Sequence, residues 1–336
     1  MDAARLRKWV LWGLAVGALI YLVFSVRAGV DEVASELAGF RLGLVLPILG
    51  LSFFNYALRF AKWQYFLRVL GVRIRVLESL RIFLAGLTMT ITPGKAGEVL
   101  KPYLVRTATG APRAKTLPAL VAERGTDALA LVALAILGVG TYFAEGTSTL
   151  LGIAGAFLGG IAFLSSRRLS LGAIALVGKL PKLGKLQPRL EETYAAFRSC
   201  LSFGPLVFST LLSVVAVSSE RVGFLLILKG FGVEAADLSV AIFLFAFSTI
   251  AGAPSPGGLG MADVALQEGA ARLITGITQA QAVGAALLCR LATLWLGVAV
   301  GALALVSFGS SQALSPEALP ERREPSPPRR PPLPPA

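Results

Sequence analysis

Histidine is absent from this 336-residue chain, and cysteine occurs only as Cys200 and Cys289. The lack of histidine excludes a histidine general base, a Ser-His-Asp triad and any metal site built on imidazole. Two cysteines are too few for a zinc or iron–sulfur site on thiolates alone. We interpret both as unpaired thiols, with a single disulfide as the alternative. No metal and no cofactor are therefore expected.

Acidic residues are also scarce, with 19 Asp and Glu against 32 Lys and Arg, which gives a net charge of +13. Hydrophobic residues make up 55% of the chain, and its mean hydropathy is +0.73. This composition predicts a protein with several membrane spans. In such a protein, excess positive charge orients the helices, so we expect lipids and not nucleic acid as partners. A homodimer and a soluble partner enzyme stay open.

Apolar stretches predict about six full spans, near residues 9–26, 42–67, 117–142, 149–165, 204–228 and 280–307. Four further stretches, at 78–91, 97–106, 236–252 and 260–275, are shorter than the roughly 20 residues that a span needs. A Pro-Gly break separates each short pair, at Pro93-Gly94 and at Pro256-Gly257. We predict an all-α polytopic fold with two re-entrant helical hairpins, or eight spans if the hairpins cross fully.

Basic residues are distributed unevenly between the two predicted sides, twenty on one side against four on the other. The positive-inside rule makes the first side cytoplasmic, with both termini inside a bacterial-type inner membrane. We expect one membrane domain over 1–312 with an amphipathic cytoplasmic linker at 166–202, held partly by anionic lipid. The proline-rich segment 313–336 is expected to be a disordered tail.

Matching features recur about 160 residues apart and indicate a diverged internal duplication. Leu70-Gly71-Val72 precedes the first Pro-Gly break, and Phe231-Gly232-Val233 precedes the second. Arg124 follows the first break, and Arg290 follows the second. The predicted repeats cover about 42–145 and 204–307. Because three membrane crossings lie between their starting points, the second repeat is expected to be inverted, which is typical of transporters.

Charged residues near the breaks are the candidate site, because a charge at membrane depth is costly and usually functional. Glycines at a helix start let an anion approach backbone N–H groups, and arginine suits phosphate. The predicted site binds an anionic lipid head group. Its residues are Gly94, Lys95, Gly97, Glu98, Lys101, Arg124, Asp127, Arg221, Gly257, Gly258, Gly260, Asp263 and Arg290. Within it, Arg124 and Arg290 are expected to hold phosphate, with Glu98 and Asp263 as counter-ions or amine contacts.

Three stretches resemble the motifs of one family, the lysylphosphatidylglycerol synthase transmembrane region, also called the flippase-like domain. They are Pro93–Tyr103, Glu123-Arg124 with Asp127, and Ser255–Gly260. The resemblance covers about 40–307. Asp263 departs from the pattern, since the family tends to have glutamate there.

The resemblance implies a lipid flippase that moves an anionic or aminoacylated lipid between leaflets. Only 29 residues follow 307, so we expect no aminoacyl-transferase domain and no lysyl-lipid synthesis. We therefore predict that the chain is not an enzyme. One alternative is a membrane enzyme of lipid or glycan metabolism, with acid–base work by Lys95, Glu98 and Asp127. Another is a non-transporting subunit that anchors a soluble enzyme.

Overall fold

The architecture is described by a computed structural model for residues 22–91, 98–142, 166–178, 187–252 and 255–313, together with isolated positions between 19 and 160. Within these ranges every regular element is helical. The predicted spans at 9–26 and 149–165 lie mostly outside the described residues. The Pro93-Gly94 break and the tail beyond 313 lie outside them as well.

The helices are numbered here in chain order, and residues 22–28, also helical, precede the first. They are α1 (Val30–Ala38), α2 (Val45–Val69), α3 (Val76–Leu87), α4 (Leu100–Thr109), α5 (Arg113–Tyr142), α6 (Arg167–Gly178), α7 (Gln187–Cys200), α8 (Phe203–Gly230), α9 (Leu238–Ala251), α10 (Met261–Leu273), α11 (Gln279–Arg290) and α12 (Leu296–Ala313). Short 3₁₀ turns lie at Leu42–Leu44, Thr88–Ile91 and Pro256–Gly258, and a π-helical segment, Leu291–Trp295, joins α11 to α12.

Three continuous helices in the described part are long and apolar enough to cross a membrane. They run over Leu42–Val69, Phe203–Gly230 and Gln279–Leu305. They coincide with three of the predicted spans, and the chain is a multi-pass membrane protein. Helix α5 covers a fourth predicted span with 30 residues, or about 45 Å of helix.

The four short apolar stretches form four short helices, as the sequence predicted. Helices α3 and α4 have 12 and 10 residues, and α9 and α10 have 14 and 13. At 1.5 Å per residue the longest reaches about 21 Å, less than the roughly 30 Å hydrocarbon core. The boundary of α4 differs most, because the predicted 97–106 stretch becomes helical only from Leu100.

Helices α2 and α8 pack side by side in opposite directions. The backbone N–H of Arg41, before α2, donates to the carbonyl of Gly230, the last residue of α8. Midway along the pair, Asn55 donates from its side chain to Ala216 O at 2.7 Å. In lipid, such interhelical hydrogen bonds contribute about 0.6 kcal/mol each, and close packing supplies most of the rest.

Small residues allow the close helix contacts. Ala282, Ala285 and Ala286 of α11 are buried against the cluster that includes Phe224 and Phe231. A methyl group on Gly284 would lie 2.9 Å from the Phe231 ring, so the glycine sets the spacing there. Both cysteines are free thiols in buried positions, which confirms the interpretation of them as unpaired.

Candidate functional site

The second Pro-Gly break forms a tight turn that packs against residues just beyond α3. Gly257 and Gly258 have φ of 61° and 76°, a left-handed conformation that only glycine adopts without strain. A Cβ on Gly257 would lie 3.2 Å from Ile91 Cα and 3.5 Å from Thr90 O. The backbone at the tip of the second hairpin therefore lies directly against the 3₁₀ turn that follows α3.

Arg290 binds the second break from α11. Its Nη2 donates to Gly258 O at 3.1 Å and its Nη1 to Gly257 O at 3.4 Å. Its Nε donates to the carboxylate of Asp263, which is fully buried. The other oxygen of Asp263 accepts from Gly260 N at 2.9 Å and so caps the start of α10. Arg290 and Asp263 thus fix the turn and the helix after it.

Arg124 makes a matching contact in the first half of the chain. Its Nε donates to Glu98 Oε2 at 2.8 Å, and its Nη2 lies 2.6 Å from the same oxygen. Its Nη1 donates to Asp127 Oδ2 at 3.4 Å, one turn along α5. Glu98 lies just before α4, so the pair connects the segment after the first break to α5.

Two buried lysines also pair with the carboxylates of α5. Lys101 donates to Glu123 Oε2 at 2.7 Å and lies over the Trp63 ring. Lys62 pairs with Asp127 and also donates to Ser213 Oγ at 2.8 Å. These contacts join α2, α4, α5 and α8. Separating the helices would break buried ion pairs and leave uncompensated charges, which is costly.

A cavity of about 460 Å³ lies between these elements. Helices α2, α5, α8, α9 and α11 contribute to its wall, and so does the second break. Among the described residues, its charged lining comprises four arginines and two carboxylates: Arg59, Arg124, Arg221, Arg290, Asp127 and Glu220. The volume lies within the 300–1,000 Å³ range of small-molecule sites, and the excess of guanidinium groups favours an anionic ligand.

Arg221 differs from the other arginines of the cavity because most of its donors are unused. The residue is fully buried in α8, and its Nη1 donates to Val217 O one turn back. Its guanidinium lies over the Phe245 ring and 3.8 Å from Glu220 Oε2. Its Nε and Nη2 have no hydrogen-bond partner among the residues that the structure describes. A buried guanidinium with two unpaired donor nitrogens can bind an oxyanion strongly.

The π-helical segment also contributes to the cavity wall. Tyr56 donates from its hydroxyl to Thr293 O at 2.6 Å, a carbonyl inside the segment. A Cβ on Gly297 would lie 3.0 Å from the same hydroxyl, so glycine there makes room for the phenol. π-Helical segments often occur at functional sites, because the extra residue in the turn redirects neighbouring side chains. Tyr56, Thr293 and Gly297 all line the cavity.

The structure brings most of the predicted site residues together. Six of them line the cavity: Arg124, Asp127, Arg221, Gly257, Gly258 and Arg290. Glu98, Asp263 and Gly260 lie behind this lining, in contact with its arginines or with one another. Lys101 lies apart, buried between Glu123 and Trp63. Gly94, Lys95 and Gly97 lie outside the described residues.

Sequence reasoning missed Lys62, which forms the closest cation contact of Asp127. A lysine inside the predicted 42–67 span, three residues after Arg59, was the available signal, because lysine is rarely placed at membrane depth without a partner. Tyr56 and Glu220 were likewise absent from the predicted site but line the cavity. The tyrosine gave no signal of its own, since aromatic residues are common in spans.

Comparison with known families agrees with the motifs. A search of curated proteins finds no relative that matches the chain significantly. The family model described as the lysylphosphatidylglycerol synthase TM region matches residues 10–301, which cover most of the chain. The match spans every residue of the cavity and of the ion pairs behind it. The chain therefore belongs to the lysylphosphatidylglycerol synthase transmembrane region family.

Proposed function

We propose that this protein moves an anionic membrane lipid between leaflets, with the lipid head group in the central cavity. Membership of the family supports a lipid-related function in the membrane. Transport accounts for a polar cavity enclosed by apolar helices, because the acyl chains can stay in lipid while the head group crosses. Phosphate is the chemical group that suits guanidinium donors, and two arginines of the cavity wall, Arg221 and Arg59, keep nitrogens without a partner among the described residues.

The unused donors of Arg221 are the observation that carries the proposal. Burying a hydrogen-bond donor without a partner costs about 1–3 kcal/mol, and more when the group is charged. Arg221 keeps two such donors, on Nε and Nη2, at the cavity wall. A phosphate oxygen would satisfy both of them. We therefore assign Arg221 as the main phosphate contact. The second is Arg59 of α2, whose Nη2 pairs with Asp127 but whose buried Nε has no partner among the described residues.

Arg124 and Arg290 have a different role in this proposal, because the protein itself occupies their donors. Arg290 is bound to Asp263 and to the carbonyls of Gly257 and Gly258. Arg124 is bound to Glu98 and Asp127. Both arginines hold the hairpins in place and contribute positive potential, while direct phosphate binding falls mainly to Arg221.

Inverted repeats support transport and are part of the proposal. In one half, Gly71 N donates to Arg68 O and Val72 N to Leu67 O. In the other half, Gly232 N donates to Lys229 O and Val233 N to Leu228 O.

A hairpin follows each of these turns. Because α2 and α8 are antiparallel, the two hairpins start at opposite ends of this helix pair. Each hairpin then packs on the last helix of the other half, α3 against α12 and α9 against α5. Inverted repeats that contain discontinuous helices are typical of alternating-access transporters.

Lipid exchange in liposomes tests the proposal. The full chain is reconstituted with fluorescent phosphatidylglycerol or phosphatidylcholine, and a membrane-impermeant quencher measures movement between leaflets. Wild type should exchange phosphatidylglycerol faster than empty vesicles. Arg221→Gln should slow exchange at least about tenfold, because charge-assisted hydrogen bonds contribute roughly 1.5–3 kcal/mol and 1.4 kcal/mol is a factor of ten.

Arg272→Gln is the matched control, since Arg272 lies on α10 with 80% of its side chain exposed and does not line the cavity. It should exchange lipid as fast as wild type. If wild type moves no anionic lipid faster than empty vesicles, the transport proposal is wrong. The membrane enzyme and the anchoring subunit would then be the better hypotheses. If wild type is active and Arg221→Gln is equally fast, transport stands but the assignment of the phosphate contact is wrong.

A further inference from the structure

A second groove lies outside the central cavity, between the two helices of the segment that precedes α8. It encloses about 890 Å³ and is bounded by α6, by α7 and by Val69 at the end of α2. Leu171 and Ala175 of α6 supply apolar surface, while Arg167 and Arg198 contribute guanidinium groups from the two helices. Ser202, just before α8, also lines the groove. Apolar and cationic surface thus face the same space.

Tyr194 provides a polar group in this groove that no described residue satisfies. The residue is 8% exposed and lines the groove from α7. Its hydroxyl is buried and has no hydrogen-bond partner within the described part of the chain. Buried hydroxyl groups are normally hydrogen-bonded, so this one indicates an acceptor that the described residues do not supply, as a bound ligand would.

The charge of the groove indicates that the acceptor is an anion. Arg167 and Arg198 are exposed, and neither forms an ion pair with another described residue. Glu191 is the acidic residue of the described lining. Two guanidinium groups and one tyrosine hydroxyl form a donor set that suits a phosphodiester.

We propose that the groove between α6 and α7 binds an anionic phospholipid of the adjacent leaflet. Arg167, Arg198 and the Tyr194 hydroxyl bind its phosphate, and an acyl chain lies along Leu171, Ala175 and Val69. A lipid fits better than a free anion because the wall between the donors is apolar. The site is separate from the central cavity, since Ser202 precedes Arg221 by 19 residues of α8, or about 28 Å. It does not depend on the proposed transport.

Native mass spectrometry of the full chain can count and titrate bound lipid. The probes are dihexanoyl phosphatidylglycerol, dihexanoyl phosphatidylcholine and inorganic phosphate. Arg198→Gln and Arg167→Gln should each weaken one phosphatidylglycerol site about tenfold, the loss expected for a charge-assisted hydrogen bond. Tyr194→Phe, which removes only the hydroxyl, should weaken the same site by a smaller factor. Arg221→Gln should leave that site unchanged.

Arg168→Gln is the matched control. Arg168 is adjacent to Arg167 on the same helix and is exposed, but it does not line the groove. Binding that weakens equally in Arg168→Gln and Arg198→Gln would reflect diffuse attraction and would overturn the proposal. Equal binding of phosphatidylcholine would overturn the anionic specificity. Inorganic phosphate that displaces the lipid at equal concentration would overturn the lipid assignment.

Discussion

The ion pair between Asp263 and Arg290 is the contact on which the geometry of the second break depends. Asp263 is fully buried, and it binds both the guanidinium of Arg290 and the N–H of Gly260. Asp263→Ala would leave a mostly buried arginine without its carboxylate, which costs about 3–5 kcal/mol. The lost helix cap adds about 1 kcal/mol. We expect Asp263→Ala to lower the melting temperature in detergent by roughly 10 °C.

Asp263→Asn should cost less than Asp263→Ala, because the amide oxygen can still accept from Gly260 N. The double variant Asp263→Leu with Arg290→Met should recover part of the loss, since replacing both members of a buried pair by apolar residues is often nearly neutral. The free energy recovered in the double variant measures the coupling between the two side chains. For residues in contact, this coupling free energy is about 0.5–3 kcal/mol.

A surface pair on the same helix is the control. Glu268 and Arg272 lie 3.9 Å apart with exposed side chains, so Glu268→Ala should change stability by less than about 1 kcal/mol. Equal melting temperatures for Asp263→Ala and Glu268→Ala would show that the buried ion pair does not stabilise the second break. A double variant no more stable than the sum of its single changes predicts would show that Asp263 and Arg290 are not coupled.

Three other places in the structure can be tested in the same way: the turn at Gly257, the ion pairs of Asp127 and the buried thiol of Cys200. Gly257→Ala should destabilise the fold and slow lipid exchange, because alanine at φ 61° costs about 1–2 kcal/mol and its methyl group would press on Ile91. Asp127→Asn should lower the melting temperature more than Lys62→Met, because Asp127 contacts three cations and Lys62 one carboxylate. Cys200 should resist maleimide at neutral pH in the folded protein and react after unfolding, because burial raises the pKa of its thiol to about 12.

Each of these three predictions can be contradicted by a specific result. Gly125→Ala places a methyl group in open space inside a helix, so it should be tolerated. If Gly257→Ala were equally harmless, the two hairpins would not be in tight contact. If Lys62→Met proved worse than Asp127→Asn, Lys62 would stabilise the fold through Ser213 and the α5 backbone instead. Rapid labelling of Cys200 would show that its thiol is not buried in solution against the apolar cluster that contains Trp63 and Phe66.

Much of the membrane architecture could be predicted because lipid imposes a simple rule on the sequence. A span needs a long apolar run, so Phe203–Gly230 and Gln279–Leu305 were located to within a few residues. The hairpin helices were found because a Pro-Gly pair interrupts an apolar stretch that is too short to cross. The start of α4 was less accurate, since a local boundary depends on cap geometry that hydropathy does not report.

The choice of ion partners was much harder to predict. Glu98 and Lys101 are one helical turn apart, a spacing that favours pairing, yet each binds a residue of α5 instead. Tertiary contacts decided the outcome, because the carboxylates of α5 point towards α4 on one side and towards α2 on the other. Sequence spacing reports only contacts within one helix. The pairing of Asp127 with Lys62 joins two helices and therefore could not be predicted from it.

The same limit applies to the arginines of the cavity, whose roles depend on which partners their donors already have. Sequence symmetry singled out Arg124 and Arg290 as phosphate contacts, because each follows a break. In the structure their donors are used by Glu98 and Asp263, and the unpaired donors among the described arginines of the cavity belong to Arg221 and to the Nε of Arg59. A guanidinium that already binds a carboxylate must give up that contact before it can bind phosphate, whereas Arg221 can bind without breaking one. Residues that recur after each break are thus better explained as supports of the hairpins, and the ligand contact is better sought where a buried charge lacks a partner.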